Sequence, residues 1–180
     1  MARPTKQGID YFPLDCSFDD KIDMFVIEHG APGLGTLITI WQMIYSNEGY
    51  YIKCNNDLLL LLKRKINADS NEVNAYINSA IEREIFDKCM HKHHEILTSK
   101  AIQKRYFDAA KRKKTVRVCA DFLLVDVNVY INPVNVDIYS VNVGGNATNV
   151  DVNVKEKVKV NVKSNQYTTA PFPKEMAVVK

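Results

Sequence analysis

The run from Gly33 to Asn47 has to be buried. Leu34, Leu37, Ile38, Trp41, Ile44 and Tyr45 recur at helical spacing and make a wide apolar face, closed by Gly49. An earlier run, with Ile22, Phe25 and Val26 behind Asp19 and Asp20, ends at Gly30. Two helices so punctuated commit residues 19–47 to a helical core. Tyr50 to Cys54 has the composition of a short strand. Asn55-Asn56-Asp57 supplies caps for a third helix, Leu58 to Ile66, whose five consecutive leucines read as a buried turn. Asp69 or Ser70 caps a fourth, running to Glu84, with Val73, Ile77, Ala80 and Ile81 on its buried face. Ile85 to Met90 and Glu95 to Leu97 are candidate strands around a polar tip, His91-Lys92-His93-His94. The predicted order is helix, strand, two helices and a β-hairpin, which is that of a winged helix-turn-helix.

Charge is distributed unevenly. Residues 1–99 hold 10 Lys and Arg against 14 Asp and Glu. Residues 100–117 hold 8 against 1, and residues 118–180 hold 6 against 6. All the excess positive charge lies in one segment, which points to a polyanionic partner. Thr98 or Ser99 caps a fifth helix there, with Ile102, Tyr106, Ala109 and Ala110 on its apolar side. Lys100, Lys104 and Lys111 form a second stripe, Arg105 and Arg112 lie beside it, and Lys113, Lys114 and Arg117 continue past the helix end. If about five of these cations met phosphates, log K would fall with log salt at a slope of about −4 to −5 on duplex DNA. Lys92 at the wing tip, and Arg3 and Lys6 in a Pro- and Gly-containing N-terminal arm, are further candidate contacts. The arm's Tyr11, Phe12 and Leu14 are expected to clamp it onto the core.

Other chemistry finds little support. The fourth helix carries Glu72, Glu82 and Glu84 against Arg83 alone, so it repels phosphate. Asn71, Asn74 and Asn78 remain as base readers, and contact with protein, either self-association or a partner, is the competing use of that surface. Cys89, His91, His93 and His94 are metal-ligand types, and a strand would set 89, 91 and 93 on one face, but no second ligand pair accompanies them. The four cysteines form no CxxC pair and are expected as reduced thiols. Phosphate-binding, metalloprotease and serine-hydrolase motifs are missing, so neither an enzyme nor a cofactor is expected. No stretch approaches the ~18 apolar residues of a membrane span, and no apolar segment of signal-peptide type follows the N-terminal basic residues.

Three segments, ARPTKQGIDYFPLD at 2–15, GYYI at 49–52 and ILTSKAIQKRYFDAAKRKK at 96–114, together resemble the N-terminal domain family of prophage replication proteins, related to the DnaD-like replisome organisers. The resemblance covers roughly residues 2–125, and its opening phrase is its most specific part. It implies a winged helix that serves phage DNA replication in the bacterial cytoplasm, binding DNA and helping to load a helicase. Members often continue into a second, DnaD-type helical domain, for which the 180 residues here leave no room.

Beyond that region the chain repeats. VNV stands at 127–129, 134–136 and 141–143, and TNV at 148–150. The period is seven, but the apolar positions alternate as in a strand, and Asn-Pro, Tyr-Ser and Asn-Ala separate the units. A small added sheet, an aggregation-prone edge and a low-complexity spacer all fit the pattern; the lack of a covering helix favours a spacer with latent strand character. The expected organisation is a winged-helix domain with its arm at 1–97, a basic helix at 98–117, a Val/Asn repeat spacer at 118–162 and a flexible tail at 163–180. Two functional readings stand. One is a DNA-binding replication accessory, on single or double strands, in contact with a helicase or its loader. The other is a protein-interaction module without DNA contact.

Overall fold

The computed structural model describes residues 6–130 and 136–140. Five helices and two small sheets make up this part. Helix α1 spans Asp20–Ser46 and is interrupted at Gly30, whose φ of 61° and ψ of −158° leave the helical region. The two helices expected on either side of that glycine are therefore present as two halves of one bent element. The Asp19 carboxylate accepts from the Ile22 N–H at 3.0 Å, and Asp20 and Asp23 sit at the positive end of the helix dipole.

Strand β1 (Ile52–Lys53) leads into α2 (Asn56–Ile66), capped by Asn55, whose side chain accepts from the Leu58 N–H at 3.0 Å. Asn67, in the left-handed region, ends α2. Three residues later α3 (Ser70–Glu82) begins on a capping box: Asp69 accepts from Glu72 N–H at 2.9 Å, and the Glu72 carboxylate accepts from Asp69 N–H at 2.8 Å. One of the acidic charges of the fourth helix is thus engaged in capping it.

The expected hairpin is replaced by a helix. Residues Lys88–His94 form α4, and Asp87 caps it by accepting from Met90 N–H at 2.9 Å. Ile85 and Phe86 are buried, but their N–H groups return to the Ala80 carbonyl and close the end of α3 rather than pairing in a ladder. The strand composition of 85–90 is overridden by an aspartate placed to start a helix. No β-hairpin occurs among the described residues; instead β2 (Ile96–Leu97) pairs antiparallel with β1, Ile52 opposite Leu97 and Lys53 opposite Ile96. The structure is mainly helical with sheets of two strands.

Helix α5 (Lys100–Ala110) packs into the same core. Its buried face is Ile102, Gln103, Tyr106, Phe107 and Ala110, while Ala109, expected inside, is exposed. Strand β3 (Val116–Cys119) follows and runs parallel to β4 (Val136–Tyr139), which comes from the second Val/Asn unit. The first unit supplies a 3₁₀ turn at Val127–Val129 instead of a strand. Phe122 and Val127 are buried, so the segment expected to begin a spacer at 118 packs on the domain. The later repeats and the tail at 163–180 lie outside the described residues, as does Arg3. No helix among the described residues is long and apolar enough to cross a membrane.

Tyr50 is the centre of the core. Its ring lies 4.8 Å from that of Tyr51, 5.7 Å from Phe107 and 5.9 Å from Tyr106. A buried polar chain runs beside it. Thr98 Oγ1 donates to the Tyr50 carbonyl at 2.6 Å, Gln103 Nε2 donates to Thr98 Oγ1 at 3.1 Å and to the Phe122 carbonyl at 2.8 Å, and Gln103 Oε1 accepts from Leu124 N–H at 2.8 Å. Cys119 N–H donates to Tyr50 Oη at 2.8 Å. Each group has a partner, which is what makes burial of a glutamine tolerable. Gly49 precedes this cluster with φ +89°, and a Cβ there would sit 1.9 Å from Tyr106 Cε2. Both the backbone conformation and the ring against it require glycine.

Candidate nucleic-acid interface

The three segments quoted above meet in space. The arm lies across the end of α1 and the end of α5. Ile9 N–H donates to the Tyr45 carbonyl at 2.7 Å, and Gly8 lies so close to that chain that a Cβ would come within 2.2 Å of Ser46 O. Tyr106 Oη donates to the Gln7 carbonyl at 2.9 Å. Lys113 Nζ donates to three successive arm carbonyls, Lys6 at 2.9 Å, Gln7 at 2.5 Å and Gly8 at 2.7 Å. Arg117 N–H reaches Gln7 Oε1 at 3.3 Å. Burial, and then the nearby Lys6 ammonium, lowers the Lys113 pKa from the usual lysine value. The Asp10 carboxylate acts the other way.

This geometry divides the eight cations of residues 100–117. Arg105 pairs with Asp15 at 2.8 Å, Lys111 with Asp108 at 2.6 Å, and Arg117 with Asp137 at 3.3 Å while lying over the Tyr139 ring at 5.3 Å. Lys113 is engaged by the arm. Lys100, Lys104, Arg112 and Lys114 are exposed and have no carboxylate partner among the described residues. The cationic stripe is therefore shorter than the sequence suggests. Lys100 and Lys104 stand one turn apart on α5, about 6 Å along its axis. Arg112 and Lys114 follow its C-terminal end, and Lys111, although paired, extends the stripe from Lys104.

The remaining sequence candidates are dispersed. Lys92 is exposed on α4. Lys6 forms an ion pair with Asp10, which holds the Asp10 carboxyl below its usual range. The histidines lie on α4, where positions 89, 91 and 93 no longer share a face. Among the described residues no group of three His, Cys, Asp or Glu is arranged to hold a metal ion. Along α3, Asn71, Asn74 and Asn78 are exposed, and Arg83 is committed to Glu28 at 2.5 Å.

Two features escaped the sequence reading. Lys63, Arg64 and Lys65 form an exposed basic last turn of α2, with no carboxylate partner among the described residues. A Lys-Arg-Lys run at a helix C-terminus is ordinary dipole compensation, so it drew no notice. The second is an open cleft of about 1000 Å³ between the arm, the start of α1, the loop before α4 and the start of α5. Lys21, Lys88, Lys100 and Arg105 stand around it, with Phe18 and Trp41 among its apolar lining. Lys21 pairs there with Glu84 at 2.8 Å and holds that carboxyl below its usual range. Nothing in local sequence spacing announces this cleft, because its walls come from segments 14–22, 84–89 and 99–105 together with Trp41.

Known proteins with related sequences place the chain. The Lin1244/Lin1753-like, N-terminal family model matches residues 11–102, just over half of it. The chain is also similar to the "Uncharacterized phage-related protein Lin1244/Lin1753" of Listeria innocua, 38% identical over 134 residues. That alignment covers 73% of this chain and 44% of the relative, so the chain spans less than half of the relative's length. No solved structure matches. The matched residues 11–102 take in helices α1 to α4 and the Gly49-Tyr50-Tyr51 corner, and the chain belongs to the phage-related Lin1244/Lin1753-like N-terminal family.

Proposed function

We propose that this protein binds DNA through the exposed side of α5 and the turn after it, as an accessory of phage DNA replication. Lys100, Lys104, Arg112 and Lys114 contact phosphates, with Lys111 between them. The observation that carries the reading is that these four cations, in a segment holding 8 Lys and Arg against one acidic residue, keep their charge free of carboxylates among the described residues. The α1–β1–α2–α3 order with β2 beside β1 is read as a winged-helix core in which α4 occupies the place of the first wing strand. The phage-related relative supports a phage setting, and the DnaD-like resemblance alone suggests a role near a helicase or its loader.

Four phosphates neutralised on duplex DNA give a salt slope of about −3.5. Fluorescence anisotropy of duplex and single-stranded oligonucleotides across a salt series measures it. Reversing Lys100, Lys104, Arg112 and Lys114 to glutamate should abolish binding at low salt while circular dichroism stays unchanged. Absence of DNA binding by the unaltered protein at low salt refutes the proposal.

A second reading, docking to a protein or a second copy, is favoured by α2. Of its five leucines only Leu58 and Leu62 are buried, while Leu60 is 65% and Leu61 43% exposed. Replacing both exposed leucines with serine would then lose a partner or an oligomer, and leave DNA binding intact.

A further inference from the structure

Tyr11 is the most exposed large apolar residue among those described, at 87%. The arm's aromatic residues were expected to face the core, and Phe12 does: its ring lies 4.6 Å from that of Tyr45. Tyr11 points the other way. Its backbone is nonetheless held, because Ile9 is hydrogen-bonded to Tyr45 and the three preceding carbonyls are bound by Lys113. A ring on an anchored segment and left open to water is an unusual use of a tyrosine.

An open cleft of about 390 Å³ lies against it, lined also by Gln42 of α1 and Lys65 of α2. This volume is at the lower end for small-molecule sites. Gln42 and Lys65 are exposed, and no carboxylate pairs with Lys65 among the described residues. Arg64 adds a second exposed cation on the adjoining position of the same turn. The carboxylate in the cleft, Asp10, is neutralised by Lys6. The cleft's lining thus brings together an aromatic ring, an amide and a cation, the three kinds of group that hold a nucleobase and its phosphate: the base stacks, the amide meets its edge, and the ammonium meets the phosphate.

We propose that the Tyr11–Gln42–Lys65 cleft binds a nucleobase with its adjacent phosphate. It is separate from α5, whose exposed surface offers phosphate contacts but no aromatic face, since Tyr106 and Phe107 are buried. Stacking requires an unpaired base, so the polymer suited to this cleft is a single strand; a free nucleotide carries the same chemistry. A protein partner covering Leu60 and Leu61 is the competing occupant of the neighbouring surface.

The test compares an oligothymidylate, an abasic deoxyribose-phosphate polymer of equal length and thymidine monophosphate. Tyr11→Ala should weaken oligothymidylate binding about tenfold, leave the abasic polymer unchanged, and be rescued by Tyr11→Phe. Glutamate at Lys100 and Lys104 instead weakens both polymers alike, so failure of the α5 reading is separable from failure of this one. Tyr11-dependent chemical-shift changes with thymidine monophosphate alone would assign the cleft to a free nucleotide; an effect confined to the oligomer assigns it to a strand. Equal oligothymidylate affinity of Tyr11→Ala and the unaltered protein, with no Tyr11-dependent response to the monophosphate, overturns the proposal and leaves the patch to a protein.

Discussion

Lys113→Met should release the N-terminal arm without unfolding the domain. The ammonium holds three carbonyls at 2.5–2.9 Å, and methionine keeps most of the stem while removing every donor. Hydrogen bonds from a charged donor contribute about 1.5–3 kcal/mol each when well shielded. Here one ammonium is shared among three acceptors and remains partly solvated, so the total is about 2–3 kcal/mol. Two kcal/mol corresponds to about a thirtyfold change in the local opening equilibrium. The reporter is the Ile9 amide, whose hydrogen bond to Tyr45 forms only when the arm is seated. Its hydrogen-exchange rate should rise about thirtyfold, while amides within α3 exchange as before. Lys113→Arg should recover only part of the effect, because a planar guanidinium cannot direct three donors toward carbonyls grouped around a tetrahedral centre. Lys114→Met, next door and exposed, is the control and should leave the Ile9 exchange rate unchanged. An unchanged Ile9 exchange rate in Lys113→Met would show that Tyr106, Phe12 and the backbone pairing suffice, and would refute the reasoning.

Gly49→Ala places a Cβ against the Tyr106 ring at a positive φ and should cost about 3 kcal/mol or more, read from urea denaturation. A loss under about 1 kcal/mol would mean the corner relaxes freely. Asp87→Ala removes the cap of α4 and should cost about 1 kcal/mol, with loss of amide protection confined to Cys89–His94. Tyr50, Tyr51 and Tyr106 all have pKa values raised chiefly by burial, so the folded state keeps their protons where the unfolded chain loses them. Stability should therefore be intact below about pH 10 and decline above it, by up to about 1.4 kcal/mol per pH unit for each tyrosine. Tyrosinate absorbance appearing from these groups before loss of helical circular dichroism would contradict that assignment.

Helix starts were the most legible part of the fold. Asp19, Asn55, Asp69 and Ser99 each announce themselves locally, and each accepts the expected backbone N–H. Asp87 has the same chemistry but sits inside Ile85–Met90, where apolar and sulfur-containing residues suggested a strand; the cap prevailed. The leucine run shows the limit of composition, since a helix can bury only one side of five consecutive residues. Gln103 was unreadable as a core residue because its partners, Phe122 and Leu124, lie about twenty positions ahead. The cationic stripe was legible as a charge excess. Its reduction was not, because Asp15 lies 90 residues from Arg105 and the arm carbonyls lie more than 100 from Lys113. Tyr11 and Phe12, adjacent in sequence, took opposite orientations for which the sequence pattern offers no signal.

The seating of the arm also has a temporal side. During synthesis, residues 6–8 leave the ribosome long before the lysine that grips them, which is made more than a hundred residues later. Tyr45 can receive Ile9 early, but the remainder of the arm has to wait until the whole of α5 has emerged and folded back. A nascent chain halted before Lys113 would lack the ammonium that binds residues 6–8, and its arm would rest on the Ile9 and Phe12 contacts with Tyr45 until that lysine is made.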